Sequence, residues 1–301
     1  MGAALYVPAT HKDVLRIANG ETLRGVRTII FCTEDSVGEK ELPYALNHLS
    51  DALDRMNVPA GLNCFVRARN PSVLQAILAM RGSHKLAGFV LPKIHLRNFE
   101  NYWSLLKSSN HPMMLTLETV DVFDDDEIKK LRHQLRHPDV QGRILALRIG
   151  GNDLLSLLGI RRPRNMTIYR TPLGHVIGKL ATAFIPYGFA MTGPVFEYLN
   201  LPHLLEEEVE EDLAHGLVGK TAIHPSQVVQ IEKGYAVHKE ELEVAHQILR
   251  DTSPAVFRMH HSMCELATHR AWATQLLERA KVFGVYPDHH SPQNESTPPR
   301  S

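Results

Sequence analysis

Two carboxylates, Glu118 and Asp153, each stand just past the end of a short apolar run, and that placement is the most chemically pointed feature of the sequence. Glu118 follows MMLTL directly. Asp153 sits in IGGND, where two glycines permit a turn tight enough to bring a carboxylate inward. On the ends of neighbouring strands such a pair suits a hard divalent cation. Mg²⁺ takes oxygen ligands, keeps several waters and typically binds only one or two protein carboxylates, which leaves positions for a chelating substrate. A structural reading competes with this one: Glu118 caps the following helix, and Asp153 is the N-cap of a helix over 154–158.

Arg67, in VRARN, ends another apolar run. A planar guanidinium there can clamp a carboxylate or the oxygen of a developing enolate through two parallel hydrogen bonds. It can equally form an internal ion pair with Glu34 or Asp35 of TEDS, and the two roles are compatible because such a pair would orient it. Lys93, after FVLP, brings in a different chemistry. A desolvated lysine in a barrel can form a Schiff base, and a Schiff base and a metal are alternative ways to stabilise the same enolate.

For these side chains to meet, the runs before them must be strands of one sheet whose carboxyl ends converge. Eight runs qualify: ALYV (4–7), RTIIFC (27–32), LNCFV (62–66), AGFVL (87–91), MMLTL (113–117), ILALRI (144–149), a weaker GFAMT (188–192) and LVGKTA (217–222). Amphipathic segments lie between them, at 72–80, 99–106, 124–136 and 173–184, with Asp or Ser near several starts. This alternation predicts an α/β fold, specifically a (β/α)₈ TIM barrel over 1–235. A C-terminal helical extension or lid is expected over 236–284, ending in a periodic helix at about 265–283. The polar, Pro-rich 285–301 reads as a disordered tail. In a barrel only the loops after the strands share one mouth. Glu34, Asp35, Arg67, Lys93, Glu118, Asp153 and His224 all fall there.

The composition excludes several functions. Among 301 residues, Lys plus Arg and Asp plus Glu both number 33, so no global field recruits nucleic acid or an anionic membrane. No run approaches the length of a membrane span, and the N-terminus lacks the basic and apolar blocks of a secretory signal. Cys32, Cys64 and Cys264 are far apart and odd in number, which fits reduced thiols in a cytoplasmic protein rather than a disulfide framework.

Taken in order, LYVPATH, FCTEDSV, CFVRARN, GFVLPKIH, LTLET, IGGNDLLSLLG and GLVGKTAIHPSQV resemble the citrate lyase β-subunit branch of the HpcH/HpaI aldolase family. The resemblance runs over residues 5 to 228. It implies a (β/α)₈ barrel, a Mg²⁺-dependent lyase or condensing enzyme acting on carboxylic acids or their thioesters, and a trimeric or hexameric homo-oligomer. It places the family's metal ligands on Glu118 and Asp153, its substrate-binding Arg on Arg67, and its acidic pair on Glu34 and Asp35. Two departures stand out. The seventh-strand region, GFAMTGPVFEYLNLPHLLEEEVEEDL, lacks the Gly- and Asp-rich stretch of members that use coenzyme A thioesters, which argues against a thioester partner. A C-terminal lid Asp found in many members is replaced, at the nearest position, by Glu265 in SMCELATHR.

These readings converge on reversible cleavage of a carbon–carbon bond beside a carboxylate or carbonyl. Mg²⁺ on Glu118 and Asp153 would chelate a small carboxylic acid, Arg67 and the metal would stabilise the enolate, and Glu265 or a metal-bound water would take the hydroxyl proton. Glu34 and Asp35 would orient Arg67, and Lys93 would line the substrate site. The rivals are a thioester hydrolase or malate synthase-like condensing enzyme, and a non-catalytic metal- and metabolite-binding sensor or assembly subunit. Other signals carry less. His133 and His137 have helical ligand spacing but no third ligand; EEEVEED (206–212) reads as a solvated helix start; DHHS (288–291) has no strand before it; and His224 suits a loop-fixing role at least as well as a catalytic one.

Overall fold

The apolar runs pair into one sheet of eight parallel strands in the computed structural model, which describes residues 1–23 and 25–286. In chain order they are β1 (Gly2–Pro8), β2 (Thr28–Cys32), β3 (Asn63–Arg67), β4 (Gly88–Leu91), β5 (Met113–Leu117), β6 (Ile144–Ile149), β7 (Met191–Thr192) and β8 (Gly219–Ala222). Each pairs with its sequence neighbour, and β8 returns to pair with β1. Val218 N–H donates to the Met191 carbonyl at 2.8 Å and Gly193 N–H to that of Gly219 at 2.7 Å, which joins β7 to β8 and completes the ring. The expected (β/α)₈ barrel is therefore the observed architecture.

Local chemistry explains the elements. The strands are rich in Val, Ile, Leu and Phe and buried on both faces, as strands covered by helices must be. Asn70, Asp124 and Thr171 accept hydrogen bonds from the first free amides of the helices they precede, and Pro71 and Pro172 fill first positions where no amide donor is needed. Inside the barrel, Ala4, Ile30, Phe65, Val90 and Met114 pack as one apolar cluster. No helix among the described residues is long and apolar enough to cross a membrane.

The β7–β8 seam is where the barrel is weakest in backbone pairing, because β7 is only two residues long. The acidic segment 206–212 compensates from outside. It does not solvate a helix start, as the sequence implied, but lies within the helix Pro202–Ala214, with Glu208 and Asp212 on one face and fully buried. Lys220, also fully buried, projects from β8 away from the barrel interior and donates to Glu208 Oε1 and Asp212 Oδ2, both at 2.9 Å. Arg162 donates to Glu208 Oε2 at 2.5 Å, and Tyr169 Oη to Asp212 Oδ1 at 2.6 Å. Gly193 is the matching backbone requirement, since a Cβ there would come within 2.4 Å of Asp212 Oδ1.

The chain divides into two compact units, Met1–Gly234 and a second that begins at Tyr235. Within the second unit the helices Lys239–Ile248 and Leu266–Phe283 pack together over Val237, Ala245, Ile248, Cys264, Ala273 and Leu276. The segment SPAVFRMHHSM, residues 253–263, interrupts the expected helical extension. It forms a hairpin of β10 (Val256–Met259) and β11 (Ser262–Glu265), while β9 (Val237–His238) pairs with β12 (Val285–Tyr286). His260 and His261 turn the hairpin with φ of 45° and 62°, where Asn or Gly would be the usual residues. From residue 287 onward the tail, with DHHS, lies outside the described residues.

Removing the Lys220 charge leaves two buried carboxylates facing one another. Lys220→Met keeps most of the stem and is expected to destabilise the fold by about 3–5 kcal/mol, read by denaturant unfolding at neutral pH.

Candidate active site

Five consecutive strand ends, β2 to β6, bring Glu34, Asp35, Arg67, Lys93, Glu118 and Asp153 into one cluster at the barrel mouth. Arg67 is its hub. The guanidinium is buried, and its Nη2 lies 2.7 Å from Glu34 Oε2, 3.0 Å from Glu118 Oε1 and 3.1 Å from Asp35 Oδ2. Its Nε is buried with no hydrogen-bond partner among the described residues. Arg69, two residues on, fixes the β2 loop by donating to the carbonyls of Thr33 and Glu34 at 3.1 Å and to that of Val37. Arg69 lies in the same VRARN segment as Arg67. Its two-residue spacing from Arg67 is the sequence signal that places it near the same edge.

Lys93 is held in the left-handed region at φ 52°, a costly conformation for a non-glycine residue and one concentrated at functional sites. That turn aims its backbone N–H at Glu118 Oε1, 2.9 Å away. Its ammonium reaches Glu34 Oε1 at 2.5 Å and lies 3.4 Å from Asp35 Oδ1 and 3.6 Å from Asp153 Oδ1. Burial works against the charge, but the hydrogen bond and charge of Glu34, then Asp35, raise the pKa above that of an ordinary lysine. A Schiff-base lysine needs the opposite shift. The ion-pairing role of Lys93 is the one this geometry favours.

Glu118 is almost wholly enclosed. Burial, reinforced by the Asp153 charge, pushes its pKa up to about 7 against the pull of Arg67 and Lys93. Burial and a hydrogen bond with Asp35 likewise raise Glu34. Asp35 moves the other way: burial opposes its charge, but the Glu34 hydrogen bond and the Arg67 and Lys93 charges hold it below the usual range. Gly150 makes room for Glu118, since a Cβ there would lie 2.1 Å from Oε2. The capping alternatives fall away. Asp153 is inside the helix Gly151–Leu157 rather than at its N-cap, and the Glu118 carboxylate is engaged by Arg67 and Lys93.

Counted as ionised groups, the cluster holds four carboxylates against two cations, an excess of two negative charges. A divalent cation would neutralise that excess. The donor set fits Mg²⁺, because Glu118 and Asp153 offer only hard oxygens. Glu265 belongs to the second unit, where its carboxylate accepts from Thr268 Oγ1 at 3.2 Å. His224 is exposed and its Nδ1 bonds Ser226 Oγ at 2.8 Å, the behaviour of a residue that fixes a turn. His133 and His137 are exposed on or beside the helix Asp125–Leu135.

The profile of the C-C bond lyases of the TIM-barrel fold matches residues 1–285. No curated protein matches the chain. Among solved structures, Mycobacterium tuberculosis CitE in complex with magnesium, acetoacetate and coenzyme A is 22% identical, with a TM-score of 0.69 over 93% of this chain and 98% of that one. A lead(II) complex of Haloferax volcanii malate synthase is 13% identical, with a TM-score of 0.64 over 76% and 71% of the two chains. RipC from Yersinia pestis is 19% identical, with a TM-score of 0.58 over 78% and 94%. At these identities the likeness is one of fold.

The raised pKa of Glu118 has a consequence for stability. Between the ordinary carboxyl value of 4.5 and about 7, the folded chain keeps a proton that the unfolded chain releases. This group therefore makes the metal-free fold progressively less stable as pH rises through that window. Glu118→Gln cannot titrate, so between pH 5 and pH 8 the variant should lose less stability than the wild type, as measured by denaturant unfolding in the presence of a chelator.

Proposed function

Because the chain belongs to the C-C bond lyases of the TIM-barrel fold, we propose that it reversibly cleaves a carbon–carbon bond adjacent to the carbonyl or carboxylate of a small carboxylic acid, with Mg²⁺ held by Glu118 and Asp153. The observation that carries this reading is the charge excess of the mouth cluster, four carboxylates against two cations, with Glu34, Arg67 and Glu118 buried. When bound, the metal would supply Lewis acidity toward the substrate's oxygens. The magnesium and acetoacetate in the Mycobacterium tuberculosis CitE structure support the assignment.

The chain's own residues supply the rest. As the carbon–carbon bond breaks, its electron pair moves toward the neighbouring carbonyl, and negative charge grows on that oxygen. Arg67 stands ready to stabilise that oxygen with a buried, pre-oriented guanidinium that needs no rearrangement as charge develops. Glu34 and Asp35 hold the fork in place, and Lys93 keeps the carboxylates from repelling one another. In the cleavage direction the hydroxyl proton needs an acceptor. Glu265 enters the proposal in that role on the strength of the family resemblance alone.

Glu118→Ala is expected to abolish Mg²⁺ binding in a calorimetric titration and to abolish turnover of 2-oxo and 3-hydroxy acids followed by NMR. Metal-dependent turnover surviving in that variant overturns the assignment. Glu265→Gln should lower turnover by about 10²-fold or more without changing Mg²⁺ affinity, and unchanged turnover removes Glu265 from the mechanism.

A further inference from the structure

Arg148 carries a charge that the cluster described above does not use. It lies on β6, two residues before Gly150, with its side chain inside the barrel and only 2% exposed. Nη2 donates to Thr221 Oγ1 at 2.6 Å, while Nη1 meets the sulfur of Met114 at 3.6 Å. Thioether sulfur is a weak acceptor, and among the described residues no carboxylate pairs with this guanidinium. A buried cation so thinly compensated is costly unless an anion completes it.

Its surroundings point the same way. Thr116 on β5 and Thr192 on β7 stand in register with Arg148 on either side, and the hydroxyls of both are buried without a hydrogen-bond partner. In a parallel sheet, registered neighbours face the same side, so three polar groups converge on one wall of the interior. The opposite wall, around Ala4, Ile30, Phe65 and Val90, is apolar. Thr221 and Tyr6, which both touch Arg148, are partly exposed. The Tyr6 ring connects the two charged regions: its centroid lies 5.5 Å from the Arg148 guanidinium carbon and 5.9 Å from that of Arg67.

We infer that Arg148, with the hydroxyls of Thr116, Thr192 and Thr221, binds a second anionic group of the substrate, a carboxylate or a phosphate, beside the end held at Arg67. This rests on Arg67, Glu118 and Asp153 forming the reacting end, as proposed above. The substrate is then anionic at both ends, and Arg148 sets specificity without touching the reacting atoms. Its fork geometry suits either anion through paired N–H donors.

Pyruvate, oxaloacetate and phosphonopyruvate share one head and differ only in bearing hydrogen, carboxylate or phosphonate on the third carbon. Their affinities for the Mg²⁺-loaded full chain, measured by ligand-observed NMR, which also reports any decarboxylation, test the inference. The wild type is expected to bind one of the two dianions about tenfold or more tighter than pyruvate, and which one identifies the second group. Arg148→Met should bring that dianion down to the pyruvate level with pyruvate and Mg²⁺ binding intact, and Arg148→Lys should keep part of the preference. If Arg148→Met fails to fold, the fall from wild type to Arg148→Lys is the readout. Pyruvate binding with no preference for either dianion, or a preference that survives in Arg148→Met, overturns the inference alone. If the wild type binds Mg²⁺ but no pyruvate, the assignment of the reacting end falls, and this inference falls with it.

Discussion

One nitrogen, Arg67 Nη2, stands within hydrogen-bonding distance of three carboxylates from three strand ends, and the mouth of the barrel is organised around the need to keep those carboxylates together. Enclosed carboxylates repel one another and lose hydration, so they persist only where cations are built in among them. Arg67 does this from β3. Lys93 does it from the end of β4, through a backbone conformation that is itself costly. Arg69 does it indirectly, by tying down the loop that carries Glu34 and Asp35. Two cations do not balance four carboxylates, and burial, with a neighbouring carboxyl group adding to it, raises the pKa values of Glu34 and Glu118. The mouth is thus incompletely neutralised by its own side chains, which is the condition a site needs if it is to gain from taking up a cation.

A second buried charge cluster, on the outer side of β8, obeys the same physics to a different end. Arg162 and Lys220 balance Glu208 and Asp212, and hydrogen bonds from Tyr169 and the Ile168 amide satisfy further carboxylate oxygens. The charges here match, two carboxylates against two cations. This cluster sits beside the seam at which β7 contributes only two residues to the ladder. Balanced charge stabilises the wall of the barrel, while unbalanced charge marks its mouth.

Much of this was legible in the sequence because it depends on periodicity. The strands at 113–117 and 144–149 fall where the apolar runs place them, and the other six overlap their runs, since a covered parallel strand must be apolar on both faces. The carboxylates and cations at the strand ends were readable for the same reason, as the fold alone fixes which residues face the mouth. What escaped depends on contacts distant in sequence or on single torsions. Nothing in EEEVEED shows that Glu208 and Asp212 face inward, because their partners come from positions 162 and 220. The turn at His260 and His261 lacks the Asn or Gly that would have announced it. Arg148 hid inside ILALRI, where one charge in an apolar strand is easily taken for the strand's edge, although its parity places it in the interior.

The seam cluster also limits how this chain can vary in length. Glu208 and Asp212 reach Lys220 together because four residues along a helix bring side chains back to nearly the same direction. One residue inserted between them would swing one carboxylate about 100° around the helix axis, away from Lys220 and onto a different neighbour. The spacing between those two positions is therefore fixed by the barrel wall, and the helix Pro202–Ala214 can lengthen or shorten only at its ends.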